Sequence, residues 1–235
     1  MGTGMAMKPL LASLACLVLV SCGVLGGGQG DNASTAAQAL NMLRGGLFNR
    51  GDDAAPPQFT ATRASLREAG ITGPVLVARI EALGISAGLL QYQEVRGATV
   101  WRSLDGDTIT TAGGLLRNTR GFGTDLHSLE TAPLAQALSE GGATEYSRLF
   151  RGLDGLSQVE THRLYCRLEP QTRERVDVLG RGYDTQRYQE TCNAQDRPVP
   201  IFVNTYWQGA GGTIWQSRQW AGPDLGYVEL EEVRN

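Results

Sequence analysis

Four cysteines are the residues of this chain whose type and spacing point most directly to chemistry. Cys22 closes the sequence Leu19-Val20-Ser21-Cys22, whose first two residues end an apolar run that begins at residue 10. An aliphatic residue three positions before a cysteine, with a small residue just before it, is the pattern of a bacterial lipobox. The thiol of Cys22 would take a diacylglyceryl group, a peptidase would cut before it, and the new amine would be acylated. Several acyl chains anchor a protein stably, whereas one chain does not.

The segment before Cys22 is predicted to be a lipoprotein signal peptide over residues 1–21. Lys8 supplies its positive charge, and the apolar run of 11 residues is too short to cross a bilayer as a helix. An ordinary secretory signal, in which Cys22 has no role, is the alternative, and Cys16 is a poorer lipidation site because Ser13 lies three positions before it. Gly23 stands where an Asp would favour retention in the inner membrane. The resemblance to lipoproteins of Gram-negative bacteria, in which this position influences sorting, implies a lipid-anchored protein of the outer membrane that faces the periplasm.

Cys166 and Cys192 remain as a pair once the signal peptide and the anchor are accounted for. The periplasm is oxidising, so the pair is predicted to form a disulfide. Its span of 26 residues would contribute about 3 kcal/mol in the chain-entropy description. Two buried free thiols and a metal-binding pair are the alternatives. A metal site would need further ligands, and His127 and His162 lie far from any Cys-x-x-Cys pattern, so no metal or cofactor is expected.

No catalytic residue is predicted, because the sequence contains no nucleophile elbow, no zinc-protease motif, no Walker loop and no dinucleotide-binding glycine motif. We therefore expect a protein that is not an enzyme. The net charge of −3, from 21 basic and 24 acidic residues, argues against nucleic acid as a partner.

Aromatic residues near the C-terminus are the candidate contacts for a glycan or a protein partner: Tyr206, Trp207, Trp215 and Trp220. Flat rings stack on the apolar faces of sugars and of other amphipathic ligands. In regularly alternating strands, Tyr206 and Trp207 point to opposite faces, while Trp215 shares a face with Ser217. The four rings therefore cannot all line one groove, and packing in the core or at an interface is the alternative.

The elements that position these residues are predicted to be mainly β, in an antiparallel meander that forms a partly open barrel or sandwich with a few short helices. Short helices are expected at 35–47, 62–69 and 131–138. Strands are expected at 75–81, 89–95, 99–104, 108–111, 159–168, 175–179, 188–192, 201–207 and 213–220. Residues 22–60 would hold the lipidated cysteine and a flexible tether with a short helix. Residues 61–235 would form a single β-rich domain.

Three stretches of the chain are similar to a known family. The first consists of residues 101–106 and 114–126, and the second is LGRGYDTQRYQETC at 179–192. The third consists of residues 202–207 and 217–223. With the lipobox, they resemble the YjbF/GfcB-type lipoproteins associated with bacterial exopolysaccharide and group 4 capsule production, over most of residues 60–230. The resemblance implies a β-rich, partly barrel-like accessory factor that works with polysaccharide or with polysaccharide-export proteins, and it transfers no catalytic residue. A periplasmic glycan-modifying enzyme and a structural envelope lipoprotein that docks other proteins are the alternatives.

Overall fold

The computed structural model describes residues 58–153, 156, 158–195 and 199–234. Cys22, the signal peptide and the helix expected at 35–47 lie outside the described residues. Within those ranges the chain forms α1 (Arg63–Glu68), α2 (Ala132–Glu140) and twelve strands. The strands are β1 (Val75–Ile80), β2 (Ile85–Val95), β3 (Ala98–Arg102), β4 (Thr108–Ala112), β5 (Leu115–Arg120), β6 (Ser128–Leu129), β7 (Thr144–Leu153), β8 (Val159–Val178), β9 (Arg181–Ala194), β10 (Phe202–Gly209), β11 (Ile214–Gly222) and β12 (Gly226–Val233).

The twelve strands belong to one antiparallel sheet with the order β5-β4-β3-β2-β1-β12-β11-β10-β9-β8-β7-β6. The sheet curls into a nearly closed barrel, which confirms the predicted mainly β fold and decides for the barrel over the sandwich. Neither helix within the described ranges has the length and apolar character needed to cross a bilayer.

The hairpin of β8 and β9 is longer than the alternation pattern predicted. The segments expected as separate strands at 159–168 and 175–179 are one strand of 20 residues, and β9 begins at Arg181. Pro170 stands at an irregularity, where the pairing register with β9 shifts before Arg173. A proline without an N–H group is tolerated at such a bulge, so the strand continues through it.

The barrel closes where its two edge strands, β5 and β6, approach each other. The backbone N–H of Thr119 donates to the carbonyl of Leu126 at 3.1 Å, and the N–H of Leu126 donates to Thr119 Oγ1 at 3.0 Å. The Asp125 carboxylate accepts from Thr119 Oγ1 at 2.8 Å and from the N–H of Gly121 at 2.9 Å. The loop between the edge strands thus ties them together, and residues 119–126 form what we call the seam.

Both faces of β1 are buried, which explains its continuous apolar sequence. Leu76, Ala78 and Ile80 face the main core, whereas Val75 and Val77 pack on the opposite face with Leu66 of α1. The expected helix at 62–69 is present as α1. Thr62 caps it, because its hydroxyl accepts from the N–H of Ser65 at 3.1 Å.

Helix α2 contacts β7 and β8, and it follows β6, which is only two residues long. Pro133 lies in its first turn and Gly141 ends it in the left-handed conformation, with φ +73°. Leu134 and Leu138 pack against Tyr206 of β10. The helix predicted at 131–138 is thus present, and its buried side chains join inward-facing residues of the barrel in one cluster.

Candidate functional site

Five polar side chains meet in the interior of the barrel. They come from the inward-facing positions of β7, β9 and β10: Tyr146, Arg148, Glu190, Asn204 and Tyr206. Arg148, Glu190, Asn204 and Tyr206 have no solvent exposure at all. Strand alternation places them there, because each lies two or four residues from an inward-facing apolar residue or cysteine. We call these five residues the interior polar network.

Glu190 is the centre of the network and accepts four hydrogen bonds. Its Oε1 accepts from Tyr146 Oη and Arg148 Nη1, both at 2.7 Å. Its Oε2 accepts from Tyr206 Oη at 2.7 Å and from Asn204 Nδ2 at 2.8 Å. Both oxygens of the Glu190 carboxylate are thus paired, as a buried charge requires, whereas Nε and Nη2 of Arg148 are buried without a hydrogen-bond partner among the described residues.

The protonation states of the network depend on burial, on neighbouring charges and on hydrogen bonds. Burial raises the pKa of the Glu190 carboxyl, but the Arg148 charge and the donated hydrogen bonds outweigh it and lower this pKa below its ordinary value. Burial and the Glu190 charge raise the pKa of the Tyr206 hydroxyl. Glu190 is therefore ionised, while Tyr206 keeps the proton that it donates.

A second interior contact crosses the barrel from β11 to the turn before β5. Gln219 is fully buried, and its Oε1 accepts from the N–H of Leu116 at 2.8 Å. Its Nε2 donates to the carbonyl of Gly114 at 3.0 Å. Gly114 suits this close approach, because a Cβ at its position would lie 2.8 Å from Ile214 Cβ.

The interior polar network was not predicted. Arg148 lies in β7, for which no strand was expected, and Glu190 was assigned to a strand without a role. One signal could have found Glu190: it lies two residues from Cys192, so a disulfide inside the barrel places Glu190 on the same interior face. Nothing in the sequence indicated that Arg148 would reach it.

The predicted disulfide between Cys166 and Cys192 is confirmed. The two residues face each other directly in the β8–β9 pairing, with 4.1 Å between their Cα atoms, and both are buried in the main core. The sulfur atoms are bonded to each other, which excludes the alternatives of free thiols and of thiolate metal ligands at this pair.

The four candidate aromatic residues divide between the interior and the outer surface. Tyr206 belongs to the interior polar network, and Trp220 stacks on Phe202 of the main core at 4.8 Å. Trp207 and Trp215 lie together in the cluster that packs against α1 and the tip of the β8–β9 hairpin. Only these two tryptophans therefore share one surface.

Trp215 does not share a face with Ser217, in contrast to the prediction from regular alternation. Trp207 pairs with Gln216, but the next residue, Gln208, pairs with Ile214, so Trp215 is an extra residue in a β-bulge. The bulge keeps both Ile214 and Ser217 buried and turns Trp215 toward the hairpin tip. A sequence read with strict alternation does not reveal such an insertion.

Beside these two tryptophans the structure contains an open cleft of about 630 Å³. Trp207 Nε1 donates to Glu174 Oε1 at 2.5 Å, and the Trp215 ring stacks on Tyr183 at 3.7 Å. The rings thus support the wall of the cleft rather than lie free. Its polar lining includes Arg173, Glu174, Arg175, Asp184, Gln186 and Gln208, which offer donors and acceptors suited to a hydroxyl-rich ligand.

Comparisons with known proteins found a matching family and a solved structure of similar fold. The family described as "Group 4 capsule polysaccharide lipoprotein gfcB, YjbF" matches residues 48–233, whereas no curated protein sequence matches the chain. The crystal structure of the hypothetical lipoprotein YmcC from Escherichia coli (K12) is similar with a TM-score of 0.62 at 20% identity, over 74% of this chain and 93% of that one. That similarity shows a shared fold. Because the family match spans all twelve strands, the chain belongs to the YjbF/GfcB family of group 4 capsule polysaccharide lipoproteins.

Proposed function

We propose that this chain is a lipoprotein of the outer membrane that faces the periplasm and assists capsule or exopolysaccharide production without catalysing a reaction. Membership of the capsule lipoprotein family over residues 48–233 is the observation that carries the proposal. The lipobox at Cys22 supports the anchor. In this arrangement residues 1–21 are removed, residues 22–60 form the tether, and residues 61–235 form one domain.

The state of the most deeply buried carboxylate supports an accessory role. Glu190 has no exposure, and both of its oxygens accept hydrogen bonds from fixed donors. A general acid or base needs access to a substrate and a pKa near the working pH, and the lowered pKa of Glu190 moves it away from that range. Its contacts are those of a group that holds strands together.

The cleft beside Trp207 and Trp215 is our candidate contact for the polymer or for an export protein. Arg173 and Gln208 present polar groups to it from two different strands. Glu174 is held by Trp207 and lies 3.6 Å from Arg187 Nη1, so this part of the lining is fixed in position. A preorganised polar lining costs little entropy when a ligand binds.

Deletion of the gene tests the role. We expect less surface polysaccharide, restored by the intact gene but not by Cys22→Ser, which should release the chain from the membrane fraction. Arg173→Ala/Gln208→Ala should weaken binding of the full-length protein to the strain's exported polysaccharide, whereas Arg167→Ala on another part of the barrel wall serves as the control. Normal polysaccharide in a clean deletion would refute the proposal.

A glycan-modifying enzyme is the second candidate, favoured by a cavity of about 320 Å³ at one end of the barrel. Asp125 and Asp224 reach it from two different connections, and Glu160 and His162 reach it from the start of β8. Asp125 is engaged in the seam, so Glu160 and Asp224 are the residues to change. If Glu160→Gln/Asp224→Asn abolishes polysaccharide at an unchanged level of folded protein, the enzyme is favoured over the accessory factor.

A further inference from the structure

Most exposed apolar side chains of the described residues lie at one end of the barrel. In an antiparallel sheet with sequential neighbours, every connection that follows an odd-numbered strand lies at the same end. Seven of the ten exposed large apolar side chains belong to these connections or to the adjoining strand ends. They are Leu83, Leu104, Leu153, Leu156, Val159, Val199 and Ile201, and we call this surface the apolar end.

The hairpin of β7 and β8 forms a prominent part of the apolar end. Leu153 and Val159 face each other in the pairing register, and they are 51% and 50% exposed. Leu156 in the connection between them is 78% exposed. Exposed apolar side chains scattered singly need no explanation, but a concentration of them marks an interaction surface.

The first described residues of the chain also lie at the apolar end. The side-chain amide of Gln58 donates to the carbonyl of Gly84 at 3.1 Å, in the connection between β1 and β2. The chain then passes the outer face of β1, where Ala61 is buried, and α1 reaches the opposite end. There Arg63 donates to the carbonyl of Val178, the last residue of β8.

We propose that the apolar end rests on the lipid surface of the membrane that holds the anchor. This inference depends on the lipidation of Cys22 in the proposed function. Cys22 precedes Gln58 by 36 positions, and Gln58, the first described residue, lies at the apolar end, so the described part of the anchored chain begins at that end. Acyl chains and apolar side chains then act as two membrane signals together, which fixes the orientation of the barrel as well as its location.

The orientation has a consequence for the cleft beside Trp207 and Trp215. Gln208, which lines that cleft, lies at the end of β10, and Asp184 lies near the start of β9. Both positions are toward the end opposite to the apolar end. With the apolar end on the bilayer, the cleft opens away from the membrane, where a polymer or an export protein can reach it.

Depth-dependent quenching in vesicles tests the orientation. The full lipidated chain is reconstituted in vesicles of phosphatidylethanolamine and phosphatidylglycerol that contain nitroxide-labelled lipid. A fluorophore is attached at Leu153→Cys or, as a matched control at the opposite end, at Val95→Cys, with the native disulfide left oxidised. We expect the Leu153 probe to be quenched several-fold more strongly than the Val95 probe.

A second set of variants tests which side chains hold the barrel on the lipid. Leu83→Ser/Val159→Ser should lower the docked fraction reported by the Leu153 probe, with a fall of about tenfold in the docked-to-free ratio. Tyr92→Ser, which removes an exposed ring toward the opposite end, should leave that ratio unchanged. All changed positions are exposed, and circular dichroism checks that each variant is folded.

The outcomes separate this inference from the proposed function. A chain that does not float with vesicles overturns the anchor and the orientation together. A chain that floats but shows equal quenching at both positions overturns the orientation alone. Equal quenching with contact between Leu153 probes of two molecules would assign the apolar end to a second copy instead.

Discussion

Arg148 Nη1 lies 2.7 Å from Glu190 Oε1 inside the barrel, and neither side chain is exposed. The two residues belong to β7 and β9, which are separated in the sheet by β8. The ion pair therefore crosses over a strand and joins two strands that make no ladder with each other. Because a slip of one residue would turn either side chain outward, the pair also favours one register over its alternatives.

Breaking this pair should be costly. We expect Arg148→Met to lower the free energy of unfolding by about 3–5 kcal/mol, because it leaves Glu190 buried without its cation. Urea denaturation measures the change. The matched control is Arg167→Met, which breaks a pair with Glu169 whose side chains are 57% and 43% exposed, and should cost at most about 1 kcal/mol. Similar losses in both variants would mean that the interior pair contributes little.

The lowered pKa of Glu190 predicts a specific dependence of stability on pH. A carboxyl whose pKa is lower in the folded state adds stability above its unfolded pKa and loses it as the pH falls through the folded pKa. Glu190→Gln should therefore be less stable than the parent at pH 7, and the difference should shrink toward pH 3. Urea midpoints at both values measure it, with Asp184→Asn, 88% exposed, as the control. A difference that stays constant with pH would contradict the assignment.

Removal of the disulfide should destabilise the barrel without preventing its assembly. Cys166→Ala/Cys192→Ala opens a loop of 26 residues and should lower the free energy of unfolding by about 3 kcal/mol. Chemical reduction of the parent should give a similar shift in the urea midpoint, and the reductant should not affect the double variant. If reduction leaves the parent unchanged, the disulfide does not contribute to stability in solution.

The seam should be sensitive to the size of one residue. Gly121 has φ +102°, and a Cβ there would overlap the Asp107 carboxylate, so we expect Gly121→Ala to cost about 2–4 kcal/mol. Gly123→Ala is the control, because Gly123 has φ +89° but no atom within 4 Å of a Cβ, and it should cost about 1 kcal/mol. Hydrogen exchange at the Leu126 amide should accelerate only in the first variant. Equal exchange in both would show that the seam tolerates the overlap.

Local patterns in the chain predicted its local structure well. The alternation of apolar and polar residues identified most strands, and Thr62 with Gly70 marked the ends of α1, because capping depends on neighbouring residues only. The oxidising compartment and an even pair of cysteines predicted the disulfide. The strands β5, β6, β7 and β12 were missed, and so was the continuity of β8 through Pro170, since strand pairing and the bulge at Pro170 are not visible in local alternation.

The sequence by itself determined the β class, the helices α1 and α2, the identity of the bonded cysteines and the lipobox pattern, because each depends on neighbouring residues or on composition. The tertiary structure decided which polar residues meet inside. Arg148 and Glu190 are 42 residues apart, and only the curvature of the sheet brings their charges together. It also decided that a bulge turns Trp215 outward while Tyr206 is buried, and that distant connections gather their apolar side chains at one end of the barrel. These relationships follow from closure of the sheet, and closure depends on contacts across the whole chain.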